Sequence, residues 1–551
     1  MRVEHPIRKV LATVKESKPI VATVSMGATS SLWSPFRHRT FTVIWSATVV
    51  ANIGSWMYSA ASAWLMTSLD SDPRLVSLVQ VATTLPMFLF AIPAGALADI
   101  VNKRRFLIRG ESFIALTATA FATLVWLDRI TPTTLLLFIF LVEAGSAATA
   151  PAWQSVVPQL VPRQDLSAAV AVNSVGINIS RALGPALGGL LTAGLGIAAP
   201  FWVNSVSNVG TIGALVAWRS PKHQSSQLPA ERITHAIRTG IRHARYNRHL
   251  RATLVRTTAF FFFASCYWAL LPLVARNQIG GGATLYGVLL GAIGASAIGG
   301  AFALPWLKAT LGPNRVVAAG SIGTTLAMVL FGAAHRPLAA FAASIIAGVS
   351  WIAVVATLNV SAQFALPEWV RGRGLAIYVT AMFGALTLGS VAWGQVARNG
   401  GVPMAHFLAA AGALLVIPLT WRWQLQSGAG VDLTPSMHWP TPVVSQNVES
   451  DTGRVLVTVE YRIKDEERSA FLAALDHLSH ERRADGAYAW GIFEDVADSG
   501  RFLETFFIES WIEHLRQHER VTNADRVLQD NIQHLLKSEP TVTHLIAPER
   551  G

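Results

Sequence analysis

The sequence predicts an all-α membrane protein of twelve transmembrane helices in two six-helix halves, followed by a C-terminal α+β domain. Of its 551 residues, 52% are hydrophobic and only 14% are charged, whereas soluble domains carry about 25% charged residues. Twelve segments are apolar and long enough to cross a bilayer. Positive charge alternates between the loops that join them, as a membrane topology requires.

The twelve predicted spans have lengths near the roughly 20 residues that cross about 30 Å of hydrocarbon. In chain order they cover residues 41–69, 75–98, 106–127, 133–153, 168–195, 200–218, 253–275, 285–307, 316–334, 338–364, 375–396 and 407–423. Their loops carry 19 Lys and Arg residues on one side of the predicted membrane and 5 on the other. Because basic loops stay in the cytoplasm, we expect both termini to be cytoplasmic and the protein to lie in the cell (inner) membrane.

Charge divides the chain into a basic, apolar part and an acidic, soluble part. Residues 1–453 hold 32 basic and 14 acidic residues, whereas residues 454–551 hold 12 and 18. We expect a disordered cytosolic tail at 1–36, a first half at 37–218, an inter-half loop at 219–252, a second half at 253–425, a linker at 426–453 and a soluble domain at 454–547.

The inter-half loop repeats isoleucine at four-residue spacing, which predicts an amphipathic helix on the inner leaflet of the membrane. The many arginines of this loop are accounted for by its position on the cytosolic side of the membrane. We therefore expect no nucleic-acid partner.

The loop between spans 2 and 3, which we call the signature loop, combines a glycine, an acid and a basic run. Its members are Gly95, Asp99, Lys103, Arg104 and Arg105. A glycine permits close approach of a second helix, and an aspartate at the membrane face can pair with arginine or cap a helix. A tight turn is compatible with Asn102, because asparagine tolerates a left-handed backbone conformation better than most residues do.

Span 5 contains a motif of small residues around a proline. Its members are Gly184, Pro185, Gly188 and Gly189. Such a run offers a flat, kinked helix surface against which another helix can pack and rock.

The signature loop and the span-5 motif resemble those of the major facilitator superfamily. The superfamily's loop reads G-x-L-x-D-[RK]-x-G-[RK]-[RK], from which Ile100 and Asn102 depart. Segments 52–56, 150–154 and 174–181 make the chain similar to the branch that contains the enterobactin exporter and the transmembrane secretion effectors. This resemblance implies two related halves and alternating access, and its span-5 motif implies export rather than uptake.

Glu143 is the acid that lies deepest in a predicted span. It follows Thr133 by ten residues, so it lies about 15 Å into the membrane. Charge at that depth is costly and is functional by default. We expect Glu143 to exchange protons or to meet a cationic substrate group. The alternative is a structural role, in which Glu143 pairs with Arg181 of span 5 or bonds to neighbouring Asn or Gln side chains. Glu111 is expected at the cytoplasmic face.

The resemblance places spans 1, 4, 7 and 10 around a central cavity. Polar and aromatic side chains of these spans are candidates for contact with a substrate. They are Asn52, Asn359, Gln363, Trp56 and Trp268, with Trp64, Tyr267 and Trp351 as further aromatic candidates. Such a lining suits amphipathic molecules that contain rings.

Beyond the linker the pattern becomes that of an α+β domain. It predicts strands over 454–463, 487–494, 502–509 and 542–546, a helix over 465–481 and two helices within 510–536. The order βαββαβ is the ferredoxin-like plan.

The segment around Trp511, with His514 and His518, resembles antibiotic-biosynthesis-monooxygenase domains, which form dimers. For this domain we expect a dimerisation or regulatory role rather than catalysis. His514 and His518 lie one helical turn apart, but two histidines do not define a metal site, and none is expected.

We therefore expect a secondary active transporter, not an enzyme, that exports small amphipathic siderophore-like or drug-like molecules by proton antiport. The sequence has no G-x-x-x-x-G-K-[ST] loop for ATP, and no cofactor is expected. The single cysteine, Cys266, excludes an internal disulfide. The expected partners are a small-molecule substrate, protons and the lipid bilayer. The alternatives are an importer of the same fold and a membrane-tethered oxygenase or sensor that acts through its C-terminal domain.

Overall fold

The computed structural model describes residues 31–218, 233–426, 432–434, 436, 439 and 454–547. Most of the expected tail at 1–36 and of the expected linker at 426–453 lies outside these residues. The helices before residue 426 are α1 (Arg39–Leu69), α2 (Pro73–Ile100), α3 (Lys103–Trp126), α4 (Pro132–Gln154), α5 (Leu166–Leu195), α6 (Ala199–Ala217), α7 (Ile233–Tyr246), α8 (Arg248–Leu273), α9 (Ala283–Ala333), α10 (Pro337–Phe364) and α11 (Glu368–Thr420). Short helical turns cover Ser34–Arg37, Val157–Leu160, Arg163–Asp165 and Val274–Gln278.

Eight helices in the described part of the chain are long and apolar enough to cross a membrane. Two of them, α9 and α11, have 51 and 53 residues and change direction at Gly312 and Gly401. The backbone φ angles there are 72° and 85°, a left-handed conformation that glycine adopts without strain. Both glycines lie where the sequence predicts a short loop between two spans. Helices α1 and α6 coincide with predicted spans but are not among these eight helices. Both contain several Ser, Thr and Asn residues, which lower their hydropathy.

The helices before and after α7 form two halves that contact each other across α2 and α11 and across α5 and α9. The hydroxyl groups of Thr84 and Thr387 lie 2.8 Å apart across the first contact. Near the same end, Arg398 lies 3.7 Å from Asp72, and the Arg276 guanidinium donates to the Thr67 hydroxyl. These contacts run from the middle of the helices to the end where the loops carry few arginines.

Helix α7 is the amphipathic helix that the sequence predicts in the inter-half loop, but protein covers part of its surface. It packs against α11 and against a helix of the C-terminal domain. His243 is only 3% exposed, and its ring lies 5.5 Å from that of Trp369 at the start of α11. Helix α7 therefore joins the membrane part to the C-terminal domain. The sequence predicts only that this helix lies on the inner leaflet of the membrane.

The C-terminal domain contains a four-stranded sheet and three helices. The elements are β1 (Val455–Arg462), α12 (Arg468–Ala484), β2 (Tyr488–Glu494), β3 (Arg501–Ile508), α13 (Trp511–Arg520), α14 (Asn523–Gln533) and β4 (Thr541–Ile546), with a short turn at Asp465–Glu467. The strand order is β2-β3-β1-β4, and all neighbouring strands are antiparallel. Alternate residues of β1 are buried, which confirms the alternation read from the sequence. The order of strands and helices is also the predicted one.

Candidate functional site

A cavity of about 890 Å³ lies between the two halves. Its walls come from α1 to α6 on one side and from α8 to α11 on the other. The lining extends from Tyr286, near the start of α9, to Pro158 and Leu160 in the loop between α4 and α5. The cavity therefore reaches from the arginine-poor end, where the halves meet, toward the arginine-rich end.

The span-5 motif forms a close contact between the halves. A Cβ atom placed on Gly189 would lie 2.6 Å from the carbonyl oxygen of Ala283 in α9, and one on Gly287 would lie 2.5 Å from that of Pro185. Gly188 lies close to α1, since a Cβ there would be 3.0 Å from Cα of Met57. Glycines at these positions let the backbones of three helices touch beside the cavity.

Glu143 lies midway along α4 and faces the cavity, where its side chain is half-buried. No hydrogen bond or ion pair joins it to another residue within the described chain. Arg181 also lines the cavity, but its guanidinium carbon lies 5.3 Å from the centre of the Trp56 ring, and its Nε is buried without a hydrogen-bond partner. The structure therefore does not contain the Glu143–Arg181 pair that the sequence left open as an alternative.

The other predicted polar and aromatic candidates divide into two groups. Asn52, Trp56, Trp268 and Trp351 line the cavity. Trp64 instead stacks on Tyr286 with ring centroids 6.1 Å apart, and Tyr267 is fully buried behind the wall.

Asn359 and Gln363 are not among the residues that line this cavity. Val355 of α10 is part of the lining, but these two residues lie one and two helical turns beyond it. The Gln363 amide donates to the Asn359 side-chain oxygen at a distance of 2.5 Å, in an exposed position. Helix α10 extends past the cavity, and the sequence pattern gives no sign of where the cavity ends.

Several polar residues of the lining are not among the cavity residues predicted from the sequence. Glu111, which is expected at the cytoplasmic face, also lines the cavity, is 6% exposed and accepts a hydrogen bond of 2.8 Å from the Trp153 indole. In α6, Asn204 and Asn208 are buried in the same wall. Residues four apart lie on the same face of a helix, and buried amides need hydrogen-bond partners. Two asparagines at this spacing in an apolar span therefore indicate a polar helix face, a signal that the sequence alone offers.

The signature loop makes contacts that differ from the expected ones. Asn102 has a φ of −65°, and its side-chain oxygen accepts a hydrogen bond from the Arg105 backbone N–H, so it caps α3 rather than forming a left-handed turn. Arg104 donates to the carbonyl oxygens of Leu215 and Val216 at the end of α6. A Cβ on Gly95 would meet no atom within 4 Å, so the expected close helix approach is not seen there. The side chain of Asp99 lies outside the described residues, whereas Lys103 is half-buried at the start of α3.

Two helical halves around a central, partly polar cavity define a multi-span membrane transporter of the major facilitator type. The model of one family, described as transmembrane secretion effector, matches residues 30–551. The chain belongs to this family, which places it among transporters and not among enzymes.

The similar curated proteins are transporters. The chain is 24% identical over 383 residues to the multidrug efflux pump Tap of Mycolicibacterium fortuitum, a match that covers 67% of this chain and 92% of the relative. It is 23% identical over 249 residues to macrolide efflux protein A of Streptococcus pyogenes, covering 44% of this chain and 60% of the relative. With the staphyloferrin A transporter of Staphylococcus aureus it shares 26% identity over 149 residues, which cover 27% and 38% of the two chains. The chain thus spans less than two thirds of two of these three relatives.

Solved structures share the fold of the membrane part at low sequence identity. A POT family transporter in complex with a thioalcohol-conjugated peptide has a TM-score of 0.57 and 12% identity, with 69% of this chain and 95% of that chain covered. A bacterial homologue of the human lysosomal transporter Spinster, in an inward-facing conformation, has a TM-score of 0.55 and 13% identity, with 70% and 96% covered.

Proposed function

We propose that this protein exports small amphipathic molecules, of drug-like or siderophore-like chemistry, across the cell membrane by proton antiport and alternating access. The observation that carries the proposal is the position of Glu143, an unpaired carboxyl group at mid-depth in the cavity between the halves.

The proposed topology has twelve crossings, with both termini in the cytoplasm and the domain divisions predicted from the sequence. The breaks at Gly312 and Gly401 support it, because each divides a helix of more than 50 residues into two parts of membrane-spanning length. The excess of basic residues in alternate loops supports the orientation. In this orientation the closed end of the cavity faces outward, and the cavity extends toward the cytoplasm.

Glu143 is the proposed site of coupling. A carboxylate without a partner in the membrane interior is destabilised, and a proton or a cationic group of the substrate would relieve that cost. If the halves rock so that the cavity faces each side in turn, binding of a proton on one side and of a substrate on the other would couple the two fluxes. Arg181, which lacks an acidic partner, would attract anionic groups of a substrate.

The proposed substrate class follows from the size and surface of the cavity. A volume of about 890 Å³ falls in the upper part of the range for small-molecule sites, which is roughly 300–1,000 Å³. Trp56, Trp268 and Trp351 offer flat apolar surfaces, and Asn52 offers a hydrogen-bonding group beside them. This combination suits amphipathic molecules with rings, and relatives named for macrolide, multidrug and staphyloferrin transport support the same class.

For the C-terminal domain we propose a ferredoxin-like fold with a regulatory or dimerisation role. The strand order β2-β3-β1-β4 with antiparallel neighbours supports this fold. Contacts between the domain and helices α7 and α11 support a regulatory role, because α11 also lines the cavity.

The experiment begins with a panel of macrolides, hydrophobic cations and siderophores, whose accumulation is compared in cells with and without the protein. The compound identified in this way is then followed in everted membrane vesicles with an imposed pH gradient. Wild-type vesicles are expected to take it up, because everted vesicles report export. Glu143→Gln keeps the size of the side chain but cannot release a proton, so it is expected to abolish uptake driven by the gradient.

Glu368→Gln is the matched control, since it removes an acid whose side chain is 77% exposed and should leave transport unchanged at equal protein level. Unchanged gradient-driven uptake by Glu143→Gln would exclude Glu143 as the coupling group. Gradient-driven loss of compound from everted vesicles would instead show an importer.

A further inference from the structure

Three histidines from two elements of the C-terminal domain meet at one place. His514 and His518 lie one turn apart on α13, and His544 lies on the edge strand β4. The sequence shows the first two as a pair but gives no sign of the third, which the pairing of β4 with β1 brings beside them.

The separations among these histidines suit a shared metal ion. One ligand atom from each ring can be chosen so that all three lie within 4.8 Å of one another, and the Nε2 atoms of His514 and His518 are 3.2 Å apart. Two nitrogens on one tetrahedral ion, at bond lengths near 2.05 Å, are about 3.3 Å apart. The ring centroid of His514 lies 4.8 Å from that of His518 and 4.6 Å from that of His544, near the roughly 5 Å expected for imidazoles on one ion. The His518 and His544 centroids are farther apart, at 6.5 Å. A small rotation of side chains would complete the geometry.

Two ring nitrogens of this cluster have no hydrogen-bond partner in the described part of the surrounding protein. His514 is 1% exposed, and the Nδ1 atoms of His514 and His518 are buried without a hydrogen-bond partner. Buried polar groups normally have partners, so these two nitrogens show that the surrounding protein does not satisfy both rings. Trp439 lies edge-on to the His518 ring at 5.0 Å, and Trp511 lies 5.4 Å from that of His514. These indoles shield the cluster from solvent.

Charge around the cluster permits a cation. Arg482 acts on both His514 and His518, but its own charge is opposed by the fully buried Glu504, 3.5 Å away. Burial lowers the pKa of His514 to about 3 and that of His518 to about 4. Both rings are therefore neutral at physiological pH, and a metal ion binds the neutral form of histidine.

We propose that His514, His518 and His544 bind one divalent transition-metal ion of the zinc type, with a fourth position for water or another ligand. Imidazole nitrogens favour zinc, copper, nickel and cobalt over magnesium and calcium. The ion would fasten α13 to β4. Because Arg520 at the end of α13 stacks on Trp369 of the membrane part at 4.4 Å, this would also order the surface that meets α7 and α11. The sequence-based expectation of no metal is thereby revised, independently of the transport proposal.

The test uses the full-length protein in detergent, purified through a tag without histidine and treated with a chelator. Titration with ZnCl₂, followed by calorimetry and elemental analysis, is expected to give one tightly bound zinc per chain. CoCl₂ is expected to give the visible absorption bands of four-coordinate cobalt, which report the ligand set directly. His544→Gln should weaken zinc binding by at least about tenfold and should change the cobalt spectrum.

His477→Gln is the matched control, because His477 is an exposed histidine of α12 in the same domain and should leave binding and spectrum unchanged. His544 lies half-exposed on an edge strand, so its replacement should leave the domain folded. The proposal is overturned if the wild-type protein binds no more zinc than a variant lacking all three histidines. Equal losses in His477→Gln and His544→Gln, or cobalt without four-coordinate bands, would overturn it as well.

Discussion

Single polar side chains at helix ends order the signature loop. Asn102 caps the start of α3, and Arg104 bonds to the last carbonyl groups of α6. The free carbonyl groups at a helix C-terminus carry partial negative charge, so an arginine there stabilises both the helix and its packing. Arg104 thus has a structural role in addition to its contribution to the positive-inside charge pattern.

We expect Arg104→Ala to lower the melting temperature of the detergent-solubilised protein. Two carbonyl groups lose a charged donor, which at this half-exposed position costs about 1 kcal/mol. Tryptophan fluorescence during heating measures the change. Arg105→Ala is the control, since Arg105 is exposed and carries the same charge in the same loop. If both variants melt at the same temperature, the bonds to α6 contribute nothing measurable.

The sequence predicts some site residues well because their signal is local. The depth of Glu143 follows from counting residues along one helix, and its place in the cavity agrees with that depth. The place of Glu111 in the cavity lining was not predicted, because counting gives depth but not the direction a side chain takes. His544 was missed because strand pairing brings it to α13 across more than 20 residues of sequence.

Among the helices, close contact between α5 and α9 depends on glycines that face each other. Gly189 and Gly287 leave room for the partner backbone, and Gly291 and Gly294 continue the contact toward Arg181 and Ala182. The small-residue motif of α5 is visible in the sequence, but its partner is not. A flat helix face does not reveal which other helix it meets, and that part of the fold requires the tertiary structure.

We expect Gly189→Ala to disfavour the arrangement in which this end of the cavity is closed. The new methyl group would lie 2.6 Å from the Ala283 carbonyl oxygen, and overpacking of this kind costs about 1–3 kcal/mol. If closure is part of the transport cycle, uptake of the compound into everted vesicles should fall by at least about fivefold at equal protein level. The control is Gly194→Ala in the same helix, where a Cβ meets no atom within 4 Å. A Gly189→Ala variant as active as this control would contradict the prediction.

On the scale of the whole chain, the C-terminal domain is joined to the membrane part by specific contacts. Arg520 stacks on Trp369, Glu509 lies 3.7 Å from Arg242 of α7, and the His243 ring bonds to the Ala484 carbonyl oxygen at the end of α12. The strands and helices of this domain could be predicted from periodicity. Its docking could not, because the residues involved are single aromatic and charged groups on separate elements, without a periodic pattern.

His243 gives this interface a defined response to acid. Its Nδ1 lies 3.3 Å from the Ala484 carbonyl oxygen and its Nε2 lies 3.1 Å from the Asn247 amide nitrogen. A neutral ring with the proton on Nδ1 satisfies both contacts, whereas a protonated ring loses the bond that Asn247 donates. Burial is the main cause that lowers the pKa of His243 from 6.5 to about 4, and the nearby Arg520 lowers it further. Docking through His243 is therefore fully stable above about pH 6.5 and weakens as the pH falls toward 4.

We expect the domain to separate from the membrane part on acidification, with a limiting slope of about 1.4 kcal/mol per pH unit from His243. Dyes attached at the exposed positions 368 and 477, through cysteine substitutions, would report the separation as a loss of energy transfer between pH 7 and pH 4.5. His243→Gln keeps a neutral donor and acceptor but cannot bind a proton, so its energy transfer should change less over that range. All other titratable groups are the same in both proteins, so the difference between the two curves is the contribution of His243. Identical curves would show that His243 does not control docking.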